Sequence, residues 1–187
     1  RSLTIGGGAE YLSSITSGQL IPFVNASVRL TNNMLLFGEY AYGVRAKGTF
    51  SYRMPSNLQL DLNYTWYDKD QKAINYNFRE ERKASLAFPL RIGKYNSYQR
   101  FSFSQTIMPA SEYKIAEWLF SGSLLGVATN LTTYGLFLQE VEPNIYTNLA
   151  LAFRLPAGFT VMPQTQYSWS GNELITARIR IEKTLLD

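Results

Sequence analysis

Asn57-Leu58-Gln59-Leu60-Asp61-Leu62-Asn63-Tyr64-Thr65-Trp66-Tyr67 is the stretch that decides the fold. Leu58, Leu60, Leu62, Tyr64 and Trp66 fall on one parity, and Gln59, Asp61, Asn63, Thr65 and Tyr67 on the other. Strict alternation turns each side chain 180° from the last, as in a strand; on a helix the same residues would scatter around the axis. The next stretch repeats the pattern: Ala84, Leu86, Phe88, Leu90 and Ile92 stand against Lys83, Ser85, Ala87, Pro89 and Arg91. Pro89 removes a ladder hydrogen bond and predicts a bulge or kink. Towards the C-terminus Ile175, Ala177, Ile179 and Ile181 oppose Thr176, Arg178, Arg180 and Glu182.

Working outward, the same reading gives strands over 3–12, 20–30, 34–42, 47–53, 98–107, 113–128, 131–138, 145–155 and 159–169, about twelve in all. The turns between them alternate in length. Short ones fall at Thr31-Asn32-Asn33, Pro55-Ser56-Asn57, Gly93-Lys94-Tyr95-Asn96, Thr129-Asn130 and Pro156-Ala157-Gly158. Longer or more polar connections fall at 13–18, 68–81, 109–112 and 139–144. Gly43 to Ala46 and Ser170 to Asn172 fall on the long side yet are brief. An even strand count returns both ends to one side, and the short turns follow the even-numbered strands. The expectation is a closed, antiparallel, up-and-down transmembrane β-barrel of about 12 strands, in a single domain over residues 1–187.

Composition narrows the chemistry. Of the 187 residues 45% are hydrophobic and 17% charged, and mean hydropathy is -0.15. Charge lies below the roughly 25% usual in soluble domains. Aromatics make up 14%, led by 13 Tyr; an apolar ring with a water-seeking hydroxyl suits a membrane interface. No Cys excludes disulfides and thiolate metal sites, and no His removes the commonest general base and metal ligand. Ser-His-Asp hydrolysis and His-ligated zinc are therefore out of reach. No apolar run approaches the roughly 18 residues of a transmembrane helix, so strands remain the way to span. The chain begins at Arg1 without a signal peptide, the expectation for a processed form or a piece of a larger protein.

The hairpin segments Leu155-Pro156-Ala157-Gly158-Phe159-Thr160-Val161, Tyr167-Ser168-Trp169-Ser170-Gly171-Asn172 and Ala177-Arg178-Ile179-Arg180-Ile181-Glu182-Lys183 resemble those of bacterial outer-membrane β-barrel proteins. The resemblance covers nearly the whole chain and is to an architecture. It implies a bacterial outer-membrane location and no catalytic position. Outer-membrane phospholipase and omptin-type protease chemistries rely on His, which this chain lacks.

With the apolar parity on lipid, the lumen-lining candidates are Arg29, Glu39, Arg53, Asp61, Arg91, Arg100, Glu117, Arg154, Arg178, Arg180 and Glu182, with Glu10 and Lys47 beside them. Basic residues outnumber acidic ones, which favours anionic solutes in a confined wet lumen. The competing outcome is Arg–Glu pairing that plugs the lumen, as in small barrels. Tyr40, Tyr42, Tyr52, Tyr64, Trp66, Tyr134, Tyr167 and Trp169 are the expected interfacial girdle. The run Asp68 to Lys72 with Arg79 to Lys83 is the largest charge cluster. It is either a solvated loop or a grip on lipopolysaccharide phosphates, and Asp68-x-Asp70 alone is too weak to indicate calcium. No metal or cofactor is expected, and Gly6-Gly7-Gly8 lacks the Lys-Ser/Thr of a phosphate loop.

The function expected is a porin-like channel for small, anionic solutes, and not an enzyme. The alternative is a non-conducting barrel that anchors or builds a larger envelope complex. The expected partners are the lipid bilayer, lipopolysaccharide, small solutes and other envelope proteins, with no nucleic acid.

Overall fold

A computed structural model describes residues 1–11, 20–68 and 78–184. They form twelve strands: β1 (Ser2–Tyr11), β2 (Leu20–Thr31), β3 (Met34–Ala41), β4 (Arg45–Arg53), β5 (Gln59–Tyr67), β6 (Glu80–Ile92), β7 (Tyr95–Ile107), β8 (Glu112–Leu124), β9 (Val127–Leu138), β10 (Asn144–Arg154), β11 (Phe159–Ser168) and β12 (Glu173–Lys183). A 3-10 turn, Pro156–Gly158, precedes β11. Hydrogen-bonded neighbours follow chain order from β1 to β12. The pairs whose register is described are all antiparallel. Each strand from β2 to β11 is therefore bonded to the strands before and after it in sequence, which is the up-and-down pattern that the turn spacing predicts. Among the described residues the order does not return from β12 to β1.

Two compact units can be separated. The first comprises Arg1–Leu86 with Phe103–Lys114, the second Ala87–Ser102 with Ile115–Asp187. Register fixes which residues share a face in each. In the first, Gly6 lies opposite Asn25, Asn25 opposite Glu39, Glu39 opposite Lys47 and Lys47 opposite Thr65. One step along, Val24, Tyr40, Ala46 and Trp66 form a row on the other face. In the second, Thr132, Asn148, Gln166 and Thr176 share a row, while Leu131, Leu149 and Thr165 share the alternate one. Register shifts by a residue between Arg29 and Thr31 and between Gln166 and Tyr167. Pro89 sits inside a continuous β6.

The turns explain most strand ends, and one of them corrects the sequence reading. Asn57, Asn172 and Gly93 all take positive φ (60°, 51° and 60°), the left-handed conformation that Asn and Gly tolerate in tight turns. Thr129-Asn130, expected as a turn, lies inside β9. The chain reverses instead at Leu125-Gly126, with φ of 51° and 80°. Positive φ at both central residues suits the twist of a two-residue hairpin, and Gly126 supplies one of them without steric cost. The single strand expected over 113–128 thus ends at Leu124, and β9 begins at Val127. Tyr95 and Asn96, expected in a turn, already belong to β7.

Close packing of β7 and β8 depends on one glycine. A Cβ at Gly122 would lie 2.5 Å from the Asn96 carbonyl oxygen and 2.8 Å from Ser97 Cα. Backbone cannot yield as a side-chain tip can, so Gly122→Ala should force the strands apart and cost about 1–3 kcal/mol. Gly48→Ala is the matched control, because a Cβ there meets nothing within 4 Å. Urea unfolding of the two variants in detergent micelles checks this; equal midpoints would refute it.

Candidate functional site

Burial is inverted relative to a soluble protein. The buried hydrophobic residues among those described are Ile21, Ala41 and Ala87, and no large side chain is fully buried. Ile21 and Ala41 lie on the polar parity of the first unit, with Phe23 and Val44 packed against them. On the apolar parity Ile5 is 72% exposed, Ile179 70% and Leu62 41%. Leu60, Leu86, Phe88, Leu149 and Leu151 are half-buried, and none enters a central core. Exposed apolar residues along one sheet face mark a surface that meets a membrane or another protein. Rings add to that face: Phe101 stacks between Phe88 and Trp118, with centroids 6.2 and 6.1 Å apart.

The other face carries the candidate lumen residues. In the first unit Arg45 Nη2 lies 3.2 Å from Glu39 Oε1 and 3.9 Å from Glu10 Oε2. A ladder continues from there. Thr49 Oγ1 donates to Asn63 Oδ1 at 2.9 Å, Ser51 Oγ to Asp61 Oδ1 at 2.5 Å and Gln59 Nε2 to Asp61 Oδ2 at 2.7 Å. Arg53 Nη2 donates to the neutral Gln59 Oε1 at 3.2 Å. Arg29 and Arg53 line a small cavity of about 200 Å³ with Asn33 and Ser51.

In the second unit Arg100 Nη2 meets Glu117 Oε1 at 2.9 Å, and Arg180 pairs with Glu182. Arg178 lines a cavity of about 510 Å³ with Asn130, Thr132, Asn148, Gln164 and Gln166. Arg154 and Glu182 both lie opposite Thr160 and so share this face. Arg91 has the parity of Lys83 and Ser85 in β6.

The charges divide into two sets. Glu39, Asp61, Glu117 and Glu182 are each engaged by an arginine or by neutral donors. Among the described residues Arg29, Arg53, Arg91, Arg154 and Arg178 have no carboxylate partner. Arg29 and Arg53 lie near the short-turn ends of β2 and β4; Arg91 and Arg154 lie at those of β6 and β10.

The girdle candidates divide as well. Tyr40, Tyr52, Tyr64 and Trp66 lie on the apolar face of the first unit, and Tyr42 follows β3 in a turn. Tyr167 and Trp169 meet edge-on at 4.9 Å, and Trp169 Nε1 donates to Thr147 Oγ1 at 2.8 Å. Tyr134 is a correction: it lies opposite Tyr146, stacked at 5.3 Å, on the face of Thr132 and Asn148. Leu136 and Leu138 share its parity, so alternation within β9 does not separate the two faces, and register alone places Tyr134 with Thr132 and Asn148.

Residues 69–72 of the charge cluster lie outside the described residues. Glu80 and Arg82, read as loop residues, belong to β6 and take the parity of Ala84 and Leu86. Counting back in twos from Ala84 would have placed them there. Among the described residues no group of three carboxylates could hold a metal ion.

No protein-family model matches the chain, and no curated protein matches it. It is similar to a solved porin, with 11% identity over 92% of this chain and a TM-score of 0.50. It spans 65% of that porin's length. At that identity the likeness shows the fold alone: an all-β, antiparallel, up-and-down sheet.

Proposed function

We propose that the chain is a porin-like channel of the bacterial outer membrane, a single non-enzymatic domain that passes small anionic solutes. Its sheet is closed in the bilayer, because an open edge would leave β1 and β12 with unpaired backbone groups in hydrocarbon. The even strand count supports that closure. Eight strands leave an interior filled by side chains and sixteen to eighteen leave an aqueous channel; twelve lie between. The observation that carries the solute class is the division of charges: among the described residues Glu39, Glu117 and Glu182 are paired with arginine, whereas five arginines of the polar face have no carboxylate partner and outnumber the one acid, Asp61, that only neutral donors hold. In a water-filled, low-dielectric lumen those arginines attract anions and repel cations.

Planar-bilayer recording tests this directly. The purified protein should produce discrete conductance steps, and a salt gradient should give a reversal potential on the anion side. Silent insertion would reject the channel and favour the anchoring barrel. A cation preference would reject the solute class.

A further inference from the structure

The apolar face of the described strands is almost free of charge. The exceptions are Glu80 and Arg82 on β6, Glu112 and Lys114 on β8, and Lys183 at the end of β12. Four of the five gather in the first unit. Arg82 Nη2 lies 2.7 Å from Glu80 Oε2, and Lys114 Nζ lies 3.0 Å from Glu112 Oε1. Gln105 Nε2 on β7 donates to the same Glu112 oxygen at 2.5 Å. The Arg82 guanidinium stands 6.0 Å from the centroid of the Tyr64 ring, which fixes the cluster on the Leu62 side of the sheet.

An apolar depression adjoins this cluster. Leu36, Phe50, Leu62, Ala84 and Phe103 line a cavity of about 420 Å³, and Arg82 belongs to the same wall. Gly48 lies in its wall. Gly38 lies opposite Gly48, and Gly48 opposite Tyr64, so two adjacent strands present no side chain in that row. A Cβ at Gly48 would meet nothing within 4 Å.

We propose that this part of the outer wall binds lipopolysaccharide: its phosphate on Arg82 and Lys114, and one acyl chain in the depression over Gly48. The proposal rests on the membrane reading above. A charge on a lipid-facing position costs most at the bilayer midplane and least at the interface. The four charges sit in the strand turns nearest the longer connections, which face outward in outer-membrane barrels. Their exposed ion pairs are weak and can be exchanged for a phosphate. Arg82 offers a planar donor pair to phosphate oxygens, and Lys114 a point charge. Glu80 and Glu112 supply hard oxygen ligands for the divalent cation that neutralises neighbouring phosphates. A headgroup site beside an acyl-sized trough fits a phosphorylated lipid better than a soluble anion, which has no use for the trough.

The test uses the full chain, purified in detergent, with lipopolysaccharide and magnesium, and native mass spectrometry to read bound lipid. R82Q/K114Q should weaken binding about tenfold or more, the loss expected when charge-assisted hydrogen bonds are removed. G48L should do the same with every charge intact, by filling the trough. Dephosphorylated lipid should lose the difference between wild type and R82Q/K114Q. Unchanged binding in either variant would overturn the proposal, as would equal affinity for the dephosphorylated lipid. Variants that alter oligomeric state but not lipid binding would also overturn it, marking the patch as an interface between copies. Cold and boiled samples on gels report whether each variant has folded. Failure of the membrane reading would show separately, as wild-type protein that stays dispersed without detergent.

Discussion

Leu149→Arg should destabilise the protein by about 2–4 kcal/mol in a bilayer, while Ala150→Arg one residue away should cost almost nothing. Both positions sit in the middle of β10, so depth is matched. They differ only in facing. Leu149 lies opposite Leu131 and Thr165 on the apolar side. Ala150 lies opposite Asn130 and Gln164, beside the cavity of about 510 Å³ that Arg178 lines. An arginine at 150 therefore enters a polar, roomy space, whereas one at 149 must desolvate in hydrocarbon or drag water into the membrane. Urea titration of folded fractions in lipid vesicles gives both numbers. The opposite order would mean that Leu149 faces water and Ala150 the apolar surroundings, which would reverse the facing of β10.

The same alternation explains why the strands could be read from sequence. Between 57 and 67 every second residue is apolar, and period two has no helical alternative. Turns built on Asn and Gly were equally visible, since Asn57, Gly93 and Asn172 are residues that accept positive φ. The Leu125-Gly126 hairpin was not. Leucine at φ of 51° is strained and gives no turn signal, and the flanks mix apolar and small polar residues on both parities, so period does not mark the reversal. Tyr134 was ambiguous for a related reason: it shares its parity with Leu136 and Leu138, so both faces of β9 carry apolar residues and alternation does not say which one meets the Thr132 and Asn148 row.

The candidate lumen was legible as a parity but not as a set of partners. Arg29 and Arg45 look alike in sequence. Only the register of β3 on β4, with Glu10 close by, shows that Arg45 is engaged by two carboxylates. Arg29 instead reaches a cavity lined by Asn33, Ser51 and Arg53. Such pairings join residues distant in the chain and depend on rotamers, which alternation does not encode. The outer-wall cluster was hidden differently. Glu80 to Lys83 reads as one solvated charge run, and only strand parity separates Glu81 and Lys83 on the polar side from Glu80 and Arg82 on the apolar side.

Removing Arg178 and Arg180 together should reduce the anion preference while the protein stays folded. Both positions are strongly exposed on the polar face of β12, so R178Q/R180Q creates no cavity and breaks no core contact. The two side chains act differently. Among the described residues Arg178 has no carboxylate partner, so its loss removes one unneutralised positive charge. Arg180 is paired with Glu182, so its loss uncovers a negative charge that was previously cancelled. Each substitution thus moves the local field towards cations by one charge, through opposite routes. At about 0.1 M salt, where screening acts over about 10 Å, the reversal potential of the double variant should move towards zero. At about 1 M, where that length falls to about 3 Å, wild type and variant should converge. The route can be checked by adding E182Q to R180Q: with the uncovered carboxylate neutralised, the lost preference should return. If the reversal potential is the same in wild type and R178Q/R180Q at low salt, β12 does not line the conducting path.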